Sequence, residues 1–203
     1  QEVETLLHDI GFNFTVGYGA TECAPLISVE DWKSFIPGSC GKVVKRMEVK
    51  IDSRNPYDIP GEILVRGQNV MLGYYKNEDA TAATFTEDGW LKTGDMGVVD
   101  AKGNVFIKGR CKNMILTGNG QNIYPEEIED KINNLPYVVE SLVVGRKNAI
   151  VALVVADYEA GNKAGLDAQA LDKLVNDNVL ALNAELAAYS KIASTEIRSE
   201  AFE

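Results

Sequence analysis

Histidine is almost absent from this chain. Of 203 residues only His8 is one, so a Ser-His-Asp or Cys-His mechanism would have to use it. It stands beside Leu7 on an expected helix, the position of a surface residue rather than of a catalyst. Cysteine is also scarce: Cys23, Cys40 and Cys111 are odd in number, far apart and free of any CxxC or Cys/His spacing. That excludes a disulfide framework and a zinc site, and makes a reducing cytoplasm the default compartment. Cationic charge is in deficit, with 20 Lys and Arg against 30 Asp and Glu and a formal net charge of −10. Non-specific binding to nucleic acid phosphates needs the opposite balance. The same charge gives no attraction to anionic lipid, and peripheral association with a membrane stays open. No apolar run approaches the roughly 20 residues of a transmembrane helix. The longest, around Leu142-Val143-Val144 and from Ile150 to Ala156, are of strand length. No signal-peptide pattern, internal repeat or low-complexity tract is legible.

What is present is an ordinary globular composition, 45% hydrophobic and 25% charged, enough for one domain or two small ones. Val3, Leu6, Leu7 and Ile10 fall at helical spacing, with Gly11 as a stop. Asn13 to Val16 reads as a short buried strand leading into Gly17-Tyr18-Gly19. From Pro37 to Ile107 the pattern is strand and turn. Met47, Val49 and Ile51 alternate with charged neighbours, Ile63 and Val65 follow the Pro60-Gly61 turn, and Val98-Val99 and Val105–Ile107 flank a hairpin turn at Asp100–Gly103. One helix interrupts, with Asn77 as its N-cap. Short antiparallel strands with polar turns predict a small barrel or curled sheet, partly filled by Trp90 and Leu91.

After Arg110 the pattern changes. Met114 to Thr117 reads as a strand, and Tyr124-Pro125-Glu126-Glu127 opens a helix with Pro just inside its start and an apolar stripe of Ile128, Ile132 and Leu135. Val138–Val144 and Ala149–Val155 are β-rich. Asp167 caps a long helix carrying Leu171, Leu174, Val175, Leu182 and Leu186, and Ile192–Ile197 reads as a final strand. The expected fold is therefore α+β: a small antiparallel, barrel-like subdomain over residues 1–109, then a compact α+β domain over 110–203, joined by a hinge.

Four sparse motifs recur in one order along this frame: Tyr18-Gly19-Ala20-Thr21-Glu22, Thr93-Gly94-Asp95, Gly109-Arg110-Cys111-Lys112, and Gly118-Asn119-Gly120 to Glu129. Paired glycines around an aromatic allow a tight turn and close approach to a ligand. Tyr18 offers a flat face for a base, Thr21 a hydroxyl for a phosphate oxygen, and Glu22 a hard oxygen for Mg²⁺. Asp95 on a tight turn can accept from two vicinal hydroxyls, as a ribose presents them. Each motif alone has a plain structural reading as a turn or cap.

Together these residues resemble the adenylate-forming superfamily of acyl-CoA synthetases, luciferases and carrier-protein-loading adenylation domains, across essentially the whole chain. Tyr18-Gly19-Ala20-Thr21-Glu22 matches its YGxTE motif. Gly61-Glu62-Ile63, Gly67 and Gly73-Tyr74-Tyr75 match a structural motif, Trp90–Asp95 matches W-x-x-TGD, and Gly109 to Glu129 matches the hinge and the loop beyond. The spellings Gly17–Pro25 and Asn122–Glu129 look most like bacterial long-chain fatty-acid CoA ligases. The resemblance implies a carboxylate attacking the ATP α-phosphate, then a CoA thiol displacing AMP. It implies Tyr18 and Gly19 at adenine, Thr21 on phosphate, Glu22 on Mg²⁺, Asp95 on the ribose with Arg110 beside it, Lys112 as hinge residue and Gly120 on the pantetheine tunnel.

The departures carry equal weight. The family's upstream Ser/Thr/Gly-rich phosphate loop is missing, and so is the late catalytic lysine, for which Lys191 comes too early. Opening on Gln1 and ending at Phe202-Glu203, the chain reads as a piece of something longer, with little or no ligase activity by itself. Two other readings share the motifs: an adenylation domain that loads a carrier protein, and a truncated, non-enzymatic binding module. Acyl chain length and oligomeric state are not legible.

Overall fold

The computed structural model describes residues 2–118 and 120–202; Gln1, Asn119 and Glu203, which enter the readings above, lie outside the described residues. The chain divides into two compact units, Gln1–Lys112 and Asn113–Glu203. The division falls three residues beyond the boundary that the sequence places after Gly109.

The first unit opens with α1 (Glu2–Asp9), stopped at Gly11, whose φ is +73°. Its apolar stripe has the expected spacing, yet Val3, Leu6 and Ile10 are exposed in this structure. The strand expected at Asn13–Val16 does not form. β1 is only Gly17–Gly19, because the ladder to β2 (Leu26–Val29) begins at Gly17 opposite Val29. The Val16 carbonyl still accepts from the Glu30 amide at 2.8 Å, but no ladder continues over Asn13–Val16 among the described residues, and Phe14 packs edge-on against Phe35. β3 (Lys42–Val43) completes a small antiparallel sheet in the order β1-β2-β3.

A four-stranded antiparallel meander follows: β4 (Met47–Asp52), β5 (Gly61–Gly67), β6 (Leu91–Val99) and β7 (Val105–Arg110). The period-2 alternation does what it predicts, burying Met47 and Ile51 on β4 and Ile63 and Val65 on β5. The hairpin read at Asp100–Gly103 is present, with Val99 opposite Val105. Asp100 Oδ1 fixes its loop by accepting from the Lys102 and Asn104 amides at 2.8 and 2.9 Å. Between β5 and β6 lies α2 (Glu78–Thr84), capped as expected by Asn77, whose side chain accepts from the Ala80 amide at 3.0 Å. The sheet is open, with β4 and β7 as its edges, so the barrel-like reading is realised as two separate open sheets and no closed barrel is found among the described residues. Both sheets contribute to one core of Tyr18, Cys23, Ile27, Met47, Ile51, Ile63, Val65, Leu91 and Val105. Leu91 enters this core as expected, whereas Trp90 is buried outside it, with the Arg66 guanidinium 4.5 Å over its ring.

The second unit begins with a two-stranded ribbon, β8 (Ile115–Leu116) and β9 (Asn122–Ile123), shorter than the strand read from Met114 to Thr117. Then come α3 (Pro125–Asn133), β10 (Val138–Arg146), β11 (Ala149–Ala156), α4 (Tyr158–Lys163), α5 (Ala168–Ala181) and β12 (Ile192–Arg198). β10 and β11 form an antiparallel hairpin, whereas β12 joins β11 in parallel, so α4 and α5 make the crossover that parallel pairing requires. Asp167 caps α5 by accepting from the Ala170 amide at 2.8 Å. The α-helix ends at Ala181, so Leu182 falls in a 3-10 turn and Leu186 lies beyond it; both still pack on the core. β11, between its two neighbours, is buried along nearly its whole length. Ile150, Ala152, Val154 and Ala156 point from it into a core shared with Ile128 and Ile132 of α3 and Leu171, Val175 and Val179 of α5.

Candidate nucleotide site

The first unit concentrates its functional candidates where β1, β6 and β7 meet. Register explains the central contact. Antiparallel pairing of β6 with β7 sets Asp95 opposite Arg110, and Arg110 Nη1 donates to Asp95 Oδ1 at 2.6 Å. From β1, the Tyr18 hydroxyl donates to the other oxygen, Oδ2, at 2.7 Å. One carboxylate thus accepts from a residue 77 positions upstream and from one 15 positions downstream. Asp95 is buried, with 11% of its side chain exposed, whereas the Arg110 side chain is 54% exposed, so the pair has one dry and one wet member. Burial pushes the Tyr18 phenol well above its usual range, and the hydrogen bond to the Asp95 carboxylate adds to the shift; the hydroxyl stays a donor at any physiological pH.

Thr93 and Glu62 fix the Asp95 turn from beneath. Thr93 Oγ1 donates to the Ile63 carbonyl at 2.8 Å and accepts from the Asp95 amide at 3.1 Å, while Glu62 accepts from the Gly94 amide at 3.1 Å. Gly94 takes φ +73°, open to glycine at no steric cost. The sequence offered Thr93 only as a letter of the Thr93-Gly94-Asp95 motif, and Glu62 only within a motif given as structural. Partners that lie across strands have no local spacing signal.

β1 leads within two residues into the 3-10 turn Thr21–Cys23. Gly19 makes that geometry possible: a Cβ there would stand 2.0 Å from the Pro25 carbonyl oxygen. Thr21 is exposed on the turn and Glu22 is half-buried. Tyr74 donates its hydroxyl to Glu22 Oε1 at 2.9 Å, a contact that sequence reasoning missed; this bond is the main cause that raises the Tyr74 phenol above its usual range.

Lys112 is the last residue of the first unit, exposed in a turn after Cys111, whose amide donates to the Gly94 carbonyl at 2.9 Å. Gly120 belongs to the second unit, exposed in a turn where its amide donates to the Thr117 carbonyl at 2.9 Å. Its φ is +76° and nothing lies within 4 Å of a Cβ built on it, so backbone conformation alone selects glycine there. The structure therefore joins Tyr18, Asp95 and Arg110 directly and ties Glu22 to Tyr74. The thiols of Cys23, Cys40 and Cys111 are unpaired, and burial pushes all three up, that of Cys23 to about 11. None is poised as a thiolate nucleophile. Among the described residues no group of three or more His, Cys, Asp or Glu side chains could hold a metal ion.

A cluster of hydroxyl, carboxylate and guanidinium groups on antiparallel sheets, followed by an α+β unit, defines a class. The chain belongs to the AMP-binding enzyme family, whose profile matches residues 1–75, with the profile of the AMP-binding enzyme C-terminal domain matching residues 112–201. It is 45% identical over 134 residues to the long-chain-fatty-acid–CoA ligase of Escherichia coli O6:H1, covering 64% of this chain and 24% of that protein. It is 40% identical over 136 residues to the 2-succinylbenzoate–CoA ligase of Bacillus cytotoxicus, covering 64% of this chain and 28% of the relative. The chain thus spans about a quarter of the length of the curated relatives it matches. The fold superposes on O-succinylbenzoate coenzyme A synthetase from Bacillus subtilis, solved with ATP and magnesium ion, with a TM-score of 0.79 and 29% identity over 98% of this chain and 40% of that one. Among the described residues no helix is long and apolar enough to cross a membrane.

Proposed function

We propose that this chain supplies the ribose-binding wall and the small domain of an ATP-dependent acid–CoA ligase. One observation carries the reading: Asp95 is a buried carboxylate whose two oxygens each accept one hydrogen bond, from Arg110 and from Tyr18. A carboxylate has about four lone-pair sites, so about two remain for a pair of vicinal hydroxyls. Tyr18 and Arg110 hold the acceptor still, and Arg110 stays wet enough to meet an anionic ligand. Tyr18 and Gly19 form the adenine side, and Thr21 offers its hydroxyl to a phosphate oxygen.

The residues present fit Mg²⁺. With no three-residue cage among the described residues, the protein offers Glu22 alone, and Mg²⁺ is commonly held by one or two carboxylates together with substrate phosphates and water. When bound, the ion offsets the charge between phosphates. A carboxylate oxygen of the acid attacks the α-phosphorus and the bond to pyrophosphate breaks. In the second step the CoA sulfur attacks the acyl carbon, AMP leaves and the thiol proton passes to solvent. Lys112 is the hinge between the steps, and Gly120 keeps the thiol's path clear. The relatives named above act with CoA, which favours thioester formation over loading of a carrier protein. A long-chain fatty acid is the substrate we favour, from the local spellings Gly17–Pro25 and Asn122–Glu129 and the 45% identity to the E. coli ligase.

ATP–pyrophosphate exchange driven by acids from acetate to palmitate tests this in the full-length protein. Exchange peaking with long acids is expected, together with a loss of about a hundred-fold or more in Asp95→Ala. A peak with an amino acid or aryl acid would move the substrate class, and full exchange in Asp95→Ala would remove the ribose role.

A further inference from the structure

The Gly73-Tyr74-Tyr75 segment matches a structural motif in the sequence, and the fold gives it a more particular task. Residues 69–75 run alongside the Thr21–Cys23 turn and grip it at three points, with a fourth on the first residue of β2. Asn69 Nδ2 donates to the Cys23 carbonyl at 2.6 Å and to the Leu26 carbonyl at 3.0 Å. The Met71 amide donates to the Glu22 carbonyl at 2.7 Å, and the Tyr74 hydroxyl to Glu22 Oε1 at 2.9 Å. Backbone and side chain of Glu22 are thus both held by one loop.

That loop is itself anchored. The Tyr74 amide donates to Thr81 Oγ1 at 2.9 Å, and the same hydroxyl donates to the Asn77 carbonyl at 2.8 Å, tying the segment to the first turns of α2. Gly73 lets it approach: a Cβ there would lie 2.7 Å from Thr81 Cγ2. The neighbours of Tyr74 show that the contact is selective. Leu72 is fully exposed and Tyr75 is 88% exposed, whereas Tyr74 turns its hydroxyl back onto the acid.

We propose that Tyr74 is a positioning residue for the Glu22 carboxylate, setting it up as a one-oxygen ligand for the divalent cation of ATP. The inference rests on the reading of Glu22 as the metal-facing acid. With Oε1 occupied by a neutral donor, Oε2 carries no hydrogen bond among the described residues and is the oxygen left for the cation. A single carboxylate oxygen suits Mg²⁺, which keeps most of its octahedral shell for phosphate and water. A fixed outer-shell donor also removes the rotamer freedom that a half-exposed glutamate would otherwise lose on binding.

The test measures Mn²⁺ affinity by electron paramagnetic resonance in the full-length protein with ATP and no carboxylic acid. Tyr74→Phe, Tyr75→Phe and Glu22→Gln are compared with the parent, and thermal midpoints and the KM for the acid are recorded alongside. Outer-shell partners typically account for ten-fold or more in metal affinity, so Tyr74→Phe should bind Mn²⁺ about ten-fold more weakly. Its KM for the acid and its thermal midpoint should hold, and Tyr75→Phe should match the parent. Parent-like Mn²⁺ binding in Tyr74→Phe, with weakened binding in Glu22→Gln, overturns the positioning role and leaves Glu22 in place. Parent-like binding in Glu22→Gln removes the reading beneath it and the inference together. A fall in Mn²⁺ affinity accompanied by a lower thermal midpoint and a raised KM for the acid assigns Tyr74 to loop folding and also overturns it.

Discussion

At Gly19 the backbone is closed in by a carbonyl. The Pro25 oxygen and carbonyl carbon would lie 2.0 and 2.9 Å from a Cβ, and neither can give way without opening the turn that carries Thr21 and Glu22. Gly19→Ala should therefore cost about 3 kcal/mol of unfolding free energy. Gly120→Ala meets only open space and should lose about 1 kcal/mol, the ordinary cost of a left-handed backbone. Urea unfolding of the two variants measures the contrast, and equal losses would contradict the steric account. Asp95 shows the complementary case, in which the environment rather than the backbone makes the residue. Its acid is useful because two donors from two other strands hold it in a buried place.

Among the elements, α3 and β10 share an unusual contact. Glu129 on α3 accepts from the Val143 amide at 2.7 Å through Oε1. Burial pushes its pKa above the usual carboxylate range; the Val143 amide opposes the shift and Glu126 adds to it. An acid with a raised folded pKa binds its proton more tightly when folded, so stability falls as pH rises through that range. Glu129→Gln keeps an acceptor for Val143 and removes the charge. It should raise the thermal midpoint at pH 7, and the gain should vanish near pH 3.5, where Glu129 is protonated in both states. A gain independent of pH would show that charge is not the cause. The hairpin of β10 and β11 is held more conventionally, with Lys147 and Asn148 at positive φ forming its two-residue turn.

For the whole molecule, the consequence lies in the division at Lys112 and Asn113. Each unit has a core of its own, and the proposed hinge assigns to a few dihedrals at the junction the movement between the proposed half-reactions. Lys112→Pro fixes one φ near −65°. If the hinge reading is right, ATP–pyrophosphate exchange should stay within about two-fold of the parent while thioester formation slows by about ten-fold or more, measured separately in the full-length enzyme. Equal effects on both steps would place the hinge elsewhere.

The sequence by itself determined what local chemistry can determine. Period-2 alternation placed β4 and β5, Asn77 and Asp167 announced their helices through side-chain caps, and the Pro125 opening marked α3. The sparse motifs named the candidate site residues because glycine, aromatic and acid at fixed spacing are local facts. It failed at Asn13–Val16, where apolar character without a continuing ladder makes no strand. Only the tertiary structure decided that the β-rich region stays as open sheets and that β12 runs parallel to β11. It alone decided that Asp95 lies across from Arg110 and under Tyr18, and that Tyr74 reaches Glu22. These are contacts between residues far apart along the chain. Their partners are chosen by strand register and by the packing of shared cores, and no spacing within a single segment records that choice.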